Sequence, residues 1–256
     1  MVNESMKATY TIVIPAKNEA EGLKVLLPKL LQLDAQEIIV VNDGSTDSTA
    51  EVAQSHGCRT ISHPYSMGNG AAIKSGARAV KTDTILFMDA DGQHDPKSIP
   101  QLLNMYEDGY DMVVGARTDG ASQANFVRGL GNKLYNRFAS WMVGRKIEDL
   151  TSGFRVVDTE KFSQFLYMLP NGFSYPTTST MAFFRVGYKV GYKPVVMPKR
   201  LGKSHLKVFR DGIKFLLIIF KIGTLYSPLK LFLPISLIHF LTGVAYYTYT
   251  LSLIHI

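Results

Sequence analysis

The sequence holds one cysteine, Cys58. That excludes an internal disulfide framework and suits a reducing compartment. Cys58 follows a helical run and opens a strand-like one, the position of a small core residue. The six histidines, His56, His63, His94, His205, His239 and His255, show no metal-ligand spacing, so no zinc site is expected. No GxSxG or other nucleophile elbow is present, which leaves acyl transfer without support. The opening MVNESMKATY is polar and lacks the apolar core of a signal peptide. Repeats and low-complexity segments are missing too. Acidic charge is in deficit, 21 Asp and Glu against 28 Lys and Arg, and the net charge of +7 favours anionic partners: phosphates, an acidic membrane surface or nucleic acid. One deficit is local. Leu231 to Ile256 contains no Asp, Glu, Lys or Arg, and so long an apolar run exceeds the roughly 20 residues needed to cross a bilayer.

What is present has a regular rhythm. At 256 residues the chain can form one sizeable domain, alone or with an appendage. Residues 11 to 117 alternate strand and helix patterns: TIVIPA, a helix from Asn18, EIIVVND, a helix capped by Ser45 and ended by Gly57, CRTISH, GNGAAIKSGARAVK, TILFMDAD, PKSIPQLLNMYEDG and DMVVGAR. Apolar strands separated by helices of this length predict an α/β fold with a mostly parallel sheet. Ligands of such sheets bind beyond the carboxyl ends of the strands. Asp43, Asp89, Asp91 and Arg117 all fall there.

From 118 to 206 the pattern loosens. Leu134, Phe138, Trp141 and Met142 make one apolar helix face, and TSGFRVVD and YKPVVMPKR read as further strands. Beyond Leu206, Lys207, Arg210, Asp211, Lys214 and Lys221 share a sector of roughly 100° on an otherwise apolar helix. Such a stripe suits a membrane interface, or a helix docked on the domain. The expected division is a catalytic domain over 1–206, an amphipathic juxtamembrane helix over 207–228 and a transmembrane segment over 229–256, whose apolar end suggests a missing partner span. Lys221 and Lys230 before the span place the domain on the cytoplasmic side of the membrane by the positive-inside bias.

The densest chemistry lies in FMDADGQHDP, residues 87–96. Carboxylates crowded this closely suit either a wet turn or a cation. A hard divalent ion takes oxygen ligands, and Mg²⁺ often uses one or two carboxylates plus substrate phosphates. A cation there would neutralise charge on a departing nucleotide diphosphate. GNGAA lacks the third glycine of a dinucleotide fingerprint and is read as a tight turn near the nucleotide.

TIVIPAKNEAEGL, VVNDGSTDST, MGNGAAIKSGA, FMDADGQHDP, VVGAR, LTSGFRVVD and GKSHL occur in the order found in family 2 glycosyltransferases with the GT-A fold. Over roughly residues 10 to 225 the chain resembles, more narrowly, the polyprenyl-phosphate sugar transferases, a group that includes dolichyl-phosphate mannose synthases and undecaprenyl-phosphate glycosyltransferases. The resemblance implies that Pro15, Asn18, Glu19, Asp43, Gly70 and Ala90 line the donor-nucleotide pocket, with Asp43 reading the base or ribose. It makes Asp89 and Asp91 a DxD pair, places Asp91 on a Mg²⁺ or Mn²⁺ ion with Gln93 beside it, and puts Arg117 against phosphate or sugar near the reaction centre. Arg128, Lys133, Arg200, Ser204 and Lys207 are implied to surround the donor diphosphate and the acceptor phosphate. Two positions depart from the pattern: Asn42 stands where many relatives have an aspartate, and His205 where a lysine is common.

The reaction expected is inverting transfer of a sugar from a UDP- or GDP-linked donor to a polyprenyl phosphate at the membrane. A phosphate oxygen is already anionic, so positioning and charge stabilisation suffice. A sugar-hydroxyl acceptor would need a base, for which Glu148 and Asp149 are the candidates. A phosphatase with a strand-end DxD and a non-catalytic membrane scaffold are the rival classes. Nucleic acid is not an expected partner, and a homo-oligomer is compatible with the sequence.

Overall fold

The computed structural model of the chain describes residues 9–117, 126–172, 174–196 and 208–254, without the side chains of 126–130, 208–212, 214, 215, 226 and 254. The described strands are β1 (Tyr10–Ala16), β2 (Glu37–Asn42), β3 (Arg59–Ser62), β4 (Thr84–Phe87), β5 (Met112–Arg117), β6 (Arg155–Asp158) and β7 (Val190–Val195). The helices are α1 (Ala20–Leu30), α2 (Thr49–Ser55), α3 (Asn69–Ala79), α4 (Ile99–Glu107), α5 (Phe126–Val143), α6 (Thr159–Ser163), α7 (Tyr175–Val186), α8 (Val208–Tyr226) and α9 (Pro228–Ile254).

Successive side chains of a strand point to opposite faces, so the near-continuous Ile and Val runs feed two cores. Ile12, Ile14, Val40, Leu86 and Val113 meet Leu23, Leu27 and Leu30 of α1 and Leu102 of α4 on one face. Val13, Ile39, Val41, Ile85 and Val114 meet Ala72 and Ile73 of α3 and Phe183 of α7 on the other. The sheet order is β3-β2-β1-β4-β6-β5-β7. β1, β2, β3 and β4 are mutually parallel, as are β5 and β7. The expectation of a mostly parallel sheet therefore holds, with one reversal: β6 runs antiparallel to both β4 and β5.

That reversal builds the site. Phe87 pairs with Arg155, and Val114 also pairs with Arg155. Residues entering β6 thus lie at the same sheet edge as residues leaving β4 and β5. The segments DADG, AR and EDLTSGF, distant in sequence, share one end of the molecule.

Two boundaries differ from the sequence expectation. α1 starts at Ala20, because Asn18 takes a left-handed conformation with φ 54°. Ser45 is not the cap of α2: that helix starts at Thr49, and the Ser45 hydroxyl accepts a hydrogen bond from the Asn18 N–H instead, at 3.0 Å. Gly57 does follow α2 in a left-handed conformation, as expected.

The C-terminal helices differ in how far they dock on the domain. α8 buries Ile219 and Ile222 against Ala139, Met142 and Val143 of α5 and Met181 of α7, and Gly223 allows this approach, since a Cβ there would sit 2.3 Å from Met142 Cε. Its Leu216, Leu217, Phe220 and Leu225 stay exposed. Of the basic stripe, only Lys221 has a described side chain, and it is exposed. α9 includes a candidate membrane span, Pro228–Leu253, only 6% of whose most apolar window is buried. Its start is fixed to the domain by Lys230 Nζ, which donates to the carbonyls of Trp141 (3.1 Å) and Met142 (3.3 Å).

Candidate active site

The ends of β1 and β2 carry two loops that are sewn together. Thr46 N–H donates to Asn18 Oδ1 (2.8 Å), Glu19 N–H to Thr49 Oγ1 (3.0 Å) and Ala20 N–H to Asp47 Oδ2 (3.2 Å). Asp47 also accepts from the N–H and hydroxyl of Thr49. Asn42 accepts the Ser45 N–H (3.0 Å) and donates to Ser62 Oγ (3.3 Å). Asp43, next in line, is 4% exposed. Burial pushes its carboxyl up, but hydrogen bonds from His63, Met67, Gly68 and Ser66 outweigh this and leave it below the usual carboxylate range.

The acidic turn follows β4. Asp89 keeps a third of its side chain exposed, while Asp91 is buried. Gln93 N–H donates to Asp91 Oδ1 (3.1 Å) around Gly92, which is left-handed with φ 73°. The third acid plays a different part, since Asp95 caps the following turn and accepts from Lys97 N–H at 3.0 Å. His94 stacks on Phe154, centroids 4.9 Å apart, and accepts the Asp89 N–H at 3.2 Å. Burial pushes its imidazole pKa down to about 4 against the pull of Asp91, so at neutral pH it is an uncharged strut. Two glycines let neighbouring backbone close on this turn. A Cβ on Gly22 would stand 2.3 Å from the Ala90 carbonyl oxygen, and one on Gly153 would stand 2.9 Å from Asp89 Oδ2.

Opposite stands Arg117, at the end of β5. Its Nε and Nη2 donate to Asp149 Oδ2 and Oδ1, each at 2.8 Å, and its N–H adds a third bond to Oδ2 at 3.2 Å. Asp149 is 5% exposed and also accepts the N–H groups of Thr151 and Ser152 at 3.1 Å. Burial raises its pKa, but Arg117 lowers it further, for a net depression. The sequence offered Asp149 as a candidate base for a hydroxyl acceptor. A buried carboxylate held by a bidentate arginine is a poor proton acceptor. Glu148 is exposed and makes a surface ion pair with Lys146, Nζ 3.0 Å away.

Arg155 was not singled out by the sequence. It is fully buried and bonds to neutral acceptors: the Pro176 and Ser152 carbonyls, Ser179 Oγ (2.9 Å) and Thr180 Oγ1 (3.1 Å). Its guanidinium lies over the Tyr175 ring, and the Tyr175 hydroxyl donates to the Gly153 carbonyl at 2.9 Å. A fixed positive charge therefore backs the acidic turn. The available signal was an arginine opening the short strand RVVD, ahead of two valines.

The other expected residues are placed as follows. Pro15 is buried in β1 opposite Val41, Asn18 is exposed and Glu19 half-buried at the β1 end. Gly70 opens the buried start of α3, where its N–H donates to the Gly172 carbonyl at 3.0 Å, and a Cβ would fall 1.9 Å from the Pro170 carbonyl oxygen. Its smallness thus serves this packing. Lys133 is exposed on α5. The Arg128 side chain and Arg200, Ser204 and Lys207 lie outside the described residues.

Among the described residues no group of three or more His, Cys, Asp and Glu side chains could hold a metal ion. Asp89, Asp91 and Gln93 offer hard oxygen donors on one turn. That fits a Mg²⁺ or Mn²⁺ ion that draws its remaining ligands from a phosphorylated substrate and water, and does not fit a closed protein cage.

The glycosyl transferase family 2 model matches residues 11–166, and the GtrB C-terminal hairpin model matches residues 227–255. A dolichyl-phosphate hexose transferase of Haloferax volcanii is 28% identical over 203 residues, 78% of this chain and 88% of that protein. An undecaprenyl-phosphate 4-deoxy-4-formamido-L-arabinose transferase of Yersinia pestis is 34% identical over 155 residues, 56% of this chain but only 45% of that longer protein. Among solved structures, glucosyl-3-phosphoglycerate synthase of Mycobacterium tuberculosis, in complex with Mn²⁺, UDP and phosphoglyceric acid, superposes with a TM-score of 0.67 at 19% identity, covering 84% of this chain and 78% of that one. The fold is accordingly the GT-A glycosyltransferase fold. With the family model spanning both stitched loops, the acidic turn and the Arg117–Asp149 pair, the chain belongs to glycosyl transferase family 2.

Proposed function

We propose that this glycosyltransferase moves a sugar, with inversion, from a nucleoside-diphosphate donor to a polyprenyl phosphate at the cytoplasmic face of a membrane. The observation that carries the acceptor assignment is the Arg117–Asp149 pair. Asp149, buried and clamped by Arg117, is poorly suited to act as a base, and Glu148 makes only a surface ion pair with Lys146. An acceptor that is already anionic needs no base. The relatives named for dolichyl-phosphate and undecaprenyl-phosphate transfer support the same class.

A phosphate oxygen of the acceptor attacks the anomeric carbon. The bond from that carbon to the donor's β-phosphate oxygen breaks, its electron pair leaves with the nucleoside diphosphate, and no proton moves. Asp89, Asp91 and Gln93 would hold a Mg²⁺ or Mn²⁺ ion, whose chemistry is to offset charge on the leaving diphosphate. The remaining work belongs to the chain. Arg117, pinned by Asp149, presents a fixed positive charge toward the reacting phosphates. Pro15, Asn18 and Glu19 bound the donor pocket, and Lys133 with Arg128, Arg200, Ser204 and Lys207 supplies cations for the acceptor. We take 1–206 as the catalytic domain, 207–228 as the interface helix and 229–256 as the membrane segment, with Lys221 and Lys230 on its cytoplasmic side.

The test is a panel of UDP and GDP sugars against polyprenyl phosphate, with Mg²⁺, Mn²⁺ or a chelator. Sugar transfer to the lipid phosphate is expected in the metal-containing reactions. Transfer only to a sugar hydroxyl, or hydrolysis of simple phosphate esters, would overturn the proposal.

A further inference from the structure

Asp43 is more than a residue of the donor pocket, because both its oxygens are occupied. Oδ1 contacts His63 Nδ1 and accepts the Met67 N–H, each at 2.8 Å, and Oδ2 accepts the Ser66 hydroxyl and the Gly68 N–H, each at 2.9 Å. All four partners belong to the turn between β3 and α3. His63 Nε2 lies 2.9 Å from Ser75 Oγ on α3, and Lys17 Nζ donates to Ser66 Oγ at 2.9 Å. The turn also rests directly on Gly44: a Cβ there would lie 2.5 Å from the Tyr65 carbonyl carbon and 2.6 Å from Ser66 N. Here a surface turn is tied down at nearly every residue.

Two of its exposed side chains are nevertheless large and largely apolar. Tyr65 is 67% exposed and Met67 39% exposed. A single exposed apolar residue needs no explanation. A tyrosine and a methionine on one rigid turn, beyond the carboxyl ends of β1 and β2 where open α/β sheets bind ligands, do. Asp43 directs its lone pairs into the turn, so recognition of a flat ligand falls to what the turn displays.

We infer that Tyr65, with Met67 beside it, is the platform on which the donor's nucleobase stacks, and that Asp43 and His63 are positioning residues that hold the platform. The inference rests on the nucleotide-sugar reading above. A tyrosine face accepts pyrimidine and purine alike, so Tyr65 supplies affinity for a base, whichever base it is.

The experiment is calorimetric binding of UDP, GDP and pyrophosphate, each with Mg²⁺ or Mn²⁺, to the detergent-solubilised full chain, as wild type, Tyr65→Ala and Tyr65→Phe. Tyr65→Ala is expected to weaken the nucleoside diphosphate about tenfold, to leave pyrophosphate unchanged and to unfold at the wild-type temperature. Tyr65→Phe should bind as wild type. In turnover, Tyr65→Ala should raise the donor KM and keep kcat. Wild-type affinity in Tyr65→Ala, or equal loss of nucleotide and pyrophosphate, overturns the inference while the proposed function stands. A wild-type chain that binds neither nucleoside diphosphate overturns both.

Discussion

Arg117 and Asp149 show how much a single pair can decide. Two parallel hydrogen bonds and a shared backbone contact make the arginine's geometry a property of the carboxylate. Removing that carboxylate leaves a guanidinium two-thirds buried, with its bond to Thr151 Oγ1 as a weaker anchor. Asp149→Asn should therefore cost about 2 kcal/mol of stability, less than a fully buried pair because Arg117 is partly solvated. It should also lower kcat by misplacing Arg117. Urea unfolding and single-turnover rates check this together; a large loss of turnover with unchanged stability would revive Asp149 as a base. Asp43 gives the pH dependence. Its carboxyl is held below the usual carboxylate range, so as pH falls the unfolded chain takes up that proton first. The stability it contributes is complete above about pH 4 and drains away as pH drops through the folded value. Urea midpoints between about pH 5 and pH 3 should fall less steeply in Asp43→Asn than in the wild type, and parallel slopes would refute this assignment.

Elements, rather than residues, bring the acidic turn to its partners. Gly153 precedes β6 and lets the backbone close on Asp89. In Gly153→Ala the new methyl would meet the end of a flexible side chain, which gives way at little cost to the fold. Stability should stay within about 1 kcal/mol, while turnover drops about 10- to 100-fold as Asp89 shifts. Comparing melting temperature with kcat decides it. α8 offers a contrast: Ile219→Ala, inside the contact with α5, should cost about 2–4 kcal/mol, whereas exposed Leu217→Ala should leave the melting curve in place. At this scale the sequence was readable where strands and helices alternate regularly. β1 to β5 and the turn after β4 follow from hydrophobic runs and punctuating glycines. The reversal of β6 does not, since RVVD carries no mark of its direction, and with it went Arg155 and the meeting of Asp149 with Arg117. Ser45 misled for a related reason. A good local cap was spent on Asn18, a partner 27 residues away in the chain.

For the whole molecule, a candidate catalytic end, a docked helix with exposed leucines and a helix without charge beyond Lys230 lie in sequence, and Lys230 ties the last of these to α5. If α9 spans the bilayer, the protein resists extraction from membranes by alkaline carbonate; release into the supernatant would show that it only lies on the surface. Metal-assisted transfer to a lipid phosphate is the central claim. The most direct measurement is glycosyl-lipid formation from nucleotide sugar and polyprenyl phosphate by wild type and Asp91→Ala, with Mg²⁺ or Mn²⁺ and with chelator. Product is expected in the wild-type reactions containing metal, with a loss of at least about 100-fold in the other reactions. Equal product from Asp91→Ala, or from the chelated wild type, would contradict the claim.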